Sequence, residues 1–221
     1  MWLLVSVPMV SIFTVLASGY LQKDKILKNE EGRINISKIF PKDIKYIAFL
    51  VLAFIAGMTV FTVQYNYFGK YIKASKLTFL IMLLAPIAYI DFKSHIIPNI
   101  LVLTGIFARI VFYIMEIIAF KQETLGIFKS DMKGLLLGCG IFLLGGLITK
   151  NGIGMGDVKM YAAIALFMGY FGTLFSLLVS LFICSIASII LLATGKKTRK
   201  DTVPLAPFVY IGTFITMFFV N

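Results

Sequence analysis

The sequence predicts an all-α membrane protein, a polytopic bundle of about eight transmembrane helices with both termini outside. Three observations carry this reading. Apolar residues make up 60% of the 221 residues and charged residues only 14%, whereas soluble domains are about a quarter charged. The apolar residues fall in blocks close to the roughly 20 residues that a helix needs to cross a bilayer. The chain also lacks the short alternating segments of a membrane barrel.

Eight candidate spans cover residues 2–20, 46–68, 71–90, 98–120, 133–149, 158–171, 173–193 and 203–220. The first has no basic residue before it and seven after it, between Lys23 and Lys45. That is the pattern of a retained anchor, since a cleaved signal peptide begins with a positive region. The sixth span turns into the seventh at Gly172 with almost no connection. Neither an internal repeat nor a low-complexity tract is present. Residues 1–45 therefore read as an anchor helix and a basic cytoplasmic loop, and residues 46–221 as one helical bundle.

Orientation follows from the basic residues, which collect in cytoplasmic connections. The first, third, fifth and seventh connections hold fourteen Lys and Arg, and the opposite side holds six. The larger group marks the cytoplasmic side of a multi-pass protein of the cell membrane. The net charge of +11 is accounted for in the same way. These residues flank apolar spans and meet anionic lipid headgroups, and no basic, aromatic-studded soluble domain offers a nucleic-acid surface. Cys139 and Cys184 sit inside spans and lack zinc-site spacing; they read as inert buried thiols. One histidine, His95, cannot build a metal site and reads as a solvated loop residue. No metal or cofactor is expected.

Two aspartates stand where an apolar span meets the cytoplasm. Asp91 begins the stretch Asp91-Phe92-Lys93-Ser94-His95-Ile96-Ile97-Pro98-Asn99, and Asp157 ends Gly154-Met155-Gly156-Asp157, two residues before Lys159. Two spans lie between them, so parity places both on one side whatever the absolute orientation. Fifteen residues of helix from the turn at Gly172 back to Asp157 cover about 22 Å, against a hydrocarbon core of about 30 Å. Asp157 is then recessed, unless the bilayer thins locally, and an ionisable group at such a depth is a functional candidate. Taken singly, each aspartate is better explained by a capping role, and Gly154 and Gly156 are as well explained by a tight turn. The pair on one face points to function. Arg109 and Glu116 share a helix face seven residues apart and read as a structural ion pair or a lipid-facing snorkel. Lys159 reads equally as a neighbour that offsets Asp157 or as an interfacial anchor.

Gly154-Met155-Gly156-Asp157 resembles the GxGD signature of membrane aspartic peptidases. Asp91 with Pro98-Asn99 seven residues on, and Asp157-Val158-Lys159 at the second site, resemble the two motifs of the type IV prepilin and preflagellin peptidase family. The Pro-rich turn Pro204-Leu205-Ala206-Pro207-Phe208 resembles a further family feature. The resemblance covers roughly the last three-quarters of the chain. It implies an endopeptidase that removes the short basic leader of prepilin-like proteins at the cytoplasmic membrane face, with Asp91 and Asp157 as the catalytic pair. Its partners are then a substrate with an N-terminal hydrophobic helix and the membrane lipid. Two neighbouring carboxylates split the roles of base and acid between them. Many bacterial members also methylate the new N-terminus through a long, cysteine-bearing first loop. Here that loop is about 25 residues without cysteine, so methyl transfer is not expected.

Competing readings are a presenilin-type or signal-peptide-peptidase-type intramembrane protease, an ion-coupled transporter and a structural assembly subunit. The first calls for a Pro-Ala-Leu motif near the end of the chain, which is absent. The second calls for inverted repeats, and none is seen. The third explains neither recessed aspartate.

Overall fold

The computed structural model of the chain describes residues 44–148, 154–195 and 202–219, and every regular element among them is an α-helix. The expected anchor over residues 2–20 lies outside this set, as does the basic loop that follows it up to residue 43. Six helices follow in order: α1 (Ile44–Phe68), α2 (Tyr71–Ser94), α3 (Asn99–Ala119), α4 (Thr124–Ile148), α5 (Met155–Ala193) and α6 (Ala206–Phe219). Of these, α2, α3, α4 and α5 are long and apolar enough to cross a membrane, while α1 and α6 carry shorter apolar stretches.

Helix α2 is the centre of the bundle. It is buried almost without interruption from Lys76 to Asp91, as a helix apolar on all sides must be. It packs against α1, α3, α5 and α6. Helix α3 buries only one stripe, Leu101, Val102, Gly105, Arg109, Phe112 and Glu116, whose three- and four-residue steps trace one helix face. Its other face exposes Leu103, Phe107, Ile114 and Ile118. A broad apolar surface of this kind suits lipid and would be an aggregation liability in water.

Two expectations about the later helices need correction. Helix α4 starts at Thr124, nine residues ahead of the start at Lys133 suggested by hydropathy. The charged residues Lys129, Asp131 and Lys133 resemble a loop in sequence, yet they fall inside the helix because Asp131 has a buried partner. The reversal between the expected sixth and seventh spans lies at Gly169 rather than at Gly172. Residues 155–193 form two helical arms that meet at Gly169, the one residue within α5 with non-helical dihedrals (φ 68°, ψ −168°). The arms lie side by side. A Cβ on Gly138 of α4 would sit 3.3 Å from Thr173 Cγ2 and 3.6 Å from the Tyr161 carbonyl oxygen, although twelve residues of straight helix would separate those two by about 18 Å.

Gly169 is required at this point. Its dihedrals fall in a region open essentially to glycine alone, and a Cβ there would meet Ser130 Oγ at 2.6 Å. Ser130 Oγ accepts the Tyr170 N–H at 3.1 Å, which satisfies a donor at the reversal. Gly169→Ala is expected to destabilise the fold by at least about 1–3 kcal/mol from backbone strain alone. Denaturant unfolding of the purified protein in detergent checks this, and an unchanged midpoint would remove the role assigned to the glycine.

Candidate active site

The two aspartate motifs meet at one end of the bundle. Asp91 lies in the last turn of α2 and is 6% exposed. Helix α2 closes at His95, in the left-handed conformation (φ 53°), whose N–H donates to the Asp91 carbonyl at 2.9 Å. The chain then extends through Ile97 into Pro98, which precedes α3 with φ −68° and ψ 122°. Proline holds its own φ and pushes the residue before it out of the helical region, so this short connection turns abruptly. His95 is exposed, as its reading as a solvated loop residue requires.

The Asp91 side chain does not cap its own turn. Its Oδ2 accepts the N–H of Ala206 at 2.9 Å, and Ala206 is the first residue of α6. A carboxylate from α2 thus satisfies one of the unpaired donors at the start of another helix. The Pro-rich turn at residues 204–207 holds this donor in place. Its link to Asp91 spans 115 positions and has no local signal in the sequence.

Asp157 is the third residue of α5 and is half-buried. It is not the N-cap; Gly154 occupies that position and makes no side-chain capping bond. The Asp157 N–H donates to the Gly154 carbonyl at 3.0 Å. The Asp157 carboxylate lies so close to Gly154 that a Cβ there would be 3.3 Å from Oδ2. Gly156 serves the contact between the motifs, since a Cβ on it would lie 3.1 Å from Ile97 Cβ. Lys159 Nζ donates to Asn99 Oδ1 at 3.0 Å across the same junction. Asp91, Pro98, Asn99, Gly154, Gly156, Asp157 and Lys159 therefore gather around one junction of α2, α3 and α5, with α6 supplying the amide behind Asp91.

The other charged residues singled out by sequence lie elsewhere. Arg109 Nη2 pairs with Glu116 Oε2 at 2.9 Å and with Asp131 Oδ2 at 2.7 Å. Lys76 Nζ donates to Glu116 Oε1 at 3.0 Å. The Tyr113 hydroxyl donates to Asp131 Oδ2 at 2.6 Å, and its ring lies under the Arg109 guanidinium at 3.6 Å. All four charged members are nearly solvent-free. Of the two structural readings of Arg109 and Glu116, the ion pair holds and the lipid-facing snorkel does not. Lys76 and Asp91 are fifteen residues apart on α2, about 22 Å along the helix, so this network stands apart from the aspartate junction.

A match to the type IV leader peptidase family spans residues 78–189, just over half of the chain and inclusive of both aspartate motifs. Neither a curated protein nor a solved structure matches the chain. Apolar helices of membrane-crossing length, two aspartate motifs folded against one another and this family match converge on one assignment: the chain belongs to the type IV leader peptidase family.

Proposed function

We propose that this protein is an aspartic endopeptidase of the cell membrane that removes the short basic leader of prepilin-like precursors, with Asp91 and Asp157 as the catalytic pair. One observation carries the reading: the two aspartate motifs fold against one another, with Gly156 against Ile97 and Lys159 bonded to Asn99. In such a pair one carboxylate takes a proton from the attacking water and the other donates to the scissile carbonyl, so both must reach one peptide directly or through a single water. Asp91 is fixed by the Ala206 amide. Asp157, half-buried at the start of α5, is the more accessible of the two. The basic asymmetry of the sequence turns this end of the bundle toward the cytoplasm, where the leader of such a substrate resides.

The test is incubation of the purified protein in detergent with a prepilin carrying its leader and hydrophobic helix. A single cut between leader and helix is expected. A cut within the apolar helix would favour the intramembrane-protease reading, and no cut of any tested prepilin would count against both. In the same mixture, labelled S-adenosylmethionine is expected to leave the product unlabelled.

The Lys159–Asn99 bond suggests a positioning role for both residues. Each of Lys159→Met and Asn99→Ala is expected to lower kcat/KM about two- to tenfold, from a hydrogen bond worth roughly 0.5–1.5 kcal/mol. The double variant should be no worse than the poorer single one. Additive losses would mean that the two residues act separately.

A further inference from the structure

Large apolar side chains stand in the open beside the aspartates. Phe92, directly after Asp91, is 67% exposed; Ile96 is 51% exposed, and Met155, two residues before Asp157, is 61% exposed. Their neighbours are polar: Lys93, Ser94, His95, Asn99 and Lys159 are exposed as well. Exposed apolar residues along the flanks of the bundle suit lipid and need no other partner. These three instead lie at helix ends and in the polar connection between α2 and α3, where lipid does not account for them.

Their positions are set by the contacts that build the junction. Ile96 follows His95, whose N–H closes α2 on the Asp91 carbonyl, and precedes Ile97, which packs against Gly156. Met155 lies between Gly154, beside the Asp157 carboxylate, and Gly156, beside Ile97. The Lys159–Asn99 bond at 3.0 Å holds the start of α5 to the start of α3. Side chains that anchor a chain at the membrane interface are chiefly Trp and Tyr, whose polar tips reach water. Phe92, Ile96 and Met155 have no such tip. They suit an apolar partner that comes to the aspartates, and Met adapts to partners of different shape.

The peptidase reading supplies such a partner. Its precursor carries a basic leader on one side of the cut and an apolar helix on the other. A basic leader gains nothing from apolar side chains set among Lys93 and Lys159, whereas the start of the helix buries apolar surface on them. The lipid-facing stripe of α3 points the same way. Ile100, Leu103 and Phe107 are exposed at three- and four-residue steps along one helix face, and Ile100 is four residues from Ile96. Resting on that reading, we propose that Phe92, Ile96 and Met155 are the specificity surface for the first residues of the substrate's apolar helix.

Purified full-length protein in detergent should be given two prepilins that differ only directly after the cut, one with apolar residues there and one with Ser in their place. The apolar precursor is expected to be cut with a kcat/KM at least about tenfold higher. Ile96→Asn and Met155→Gln, each at an exposed position, should raise KM for the apolar precursor about tenfold with little change in kcat, as loss of binding common to ground and transition states does. Both should leave cleavage of the Ser-bearing precursor unchanged. Leu125→Gln, at an exposed apolar residue at the opposite end of the bundle, should alter neither. Should Met155→Gln fail to fold, Ile96→Asn reads the same surface. Equal cleavage of the two precursors by the wild type, or variants that leave KM unchanged, would overturn the specificity surface and leave the peptidase reading standing. An equal rise in KM for both precursors would also overturn it, and would make these residues interfacial anchors. Cleavage of neither precursor by the wild type would remove the peptidase reading and this surface with it.

Discussion

Asp91→Asn and Asp157→Asn are each expected to lower leader cleavage by purified protein at least about 10²- to 10⁴-fold, the range that general acid–base catalysis contributes. The amide keeps the size of the carboxylate but cannot take up the proton. The two positions should differ when cut back to alanine. Asn at position 91 retains an oxygen that can accept the Ala206 N–H, whereas Asp91→Ala leaves that buried donor unpaired at the start of α6. An unsatisfied buried group costs roughly 1–3 kcal/mol, so Asp91→Ala should lose stability as well as activity. Asp157→Ala, at a half-buried residue near a helix start, should lose activity with a smaller change in stability. Cleavage and detergent-phase unfolding measured on all four variants separate these effects. Near-normal cleavage by either asparagine variant would end the two-aspartate assignment.

Arg109→Ala is expected to be the most damaging single change away from the aspartates. Arg109 is 1% exposed and ties Glu116 of its own helix to Asp131 of α4. Removing it strands two buried carboxylates beside a single lysine, Lys76. Breaking a buried pair by deleting one partner typically costs about 3–5 kcal/mol. The measurement is unfolding in detergent. The informative comparison is Arg109→Met combined with Asp131→Asn, which removes one charge of each sign, leaves the Lys76–Glu116 pair in place and should recover much of the loss. If the double variant is no more stable than Arg109→Ala, packing rather than charge explains the effect.

The sequence was most legible where one physical signal dominated. Apolar runs located α1, α2 and α3 to within a few residues at the ends for which the comparison can be made. Parity alone, from the two spans between them, puts Asp91 and Asp157 on the same side, and their motifs meet in the fold. The reading failed where distant partners decide. Asp131 looks like part of a polar connection because Arg109, its counter-ion, is 22 positions away. Hydropathy puts the reversal at Gly172 where Gly169 makes it; it treats the two glycines alike, and only backbone dihedrals distinguish them. The Ala206 amide behind Asp91 had no signal of its own, since a backbone donor carries no residue identity. The Pro-rich turn that presents it stands out in the sequence, but nothing local says which carboxylate it faces.

The reversal at Gly169 also bears on how the protein is made. The residues around it, Phe167-Met168-Gly169-Tyr170-Phe171, contain no charge. A segment of this kind has little to hold it in water on the far side while a second helix is synthesised. The first arm, residues 155–168, is short of the roughly 20 residues that a lone spanning helix requires, and its partner follows at once. The two arms are therefore expected to enter the bilayer together, as one hairpin, rather than as successive spans. The order of assembly would then be set at the turn, since the first arm needs the second beside it before it can settle in the bilayer.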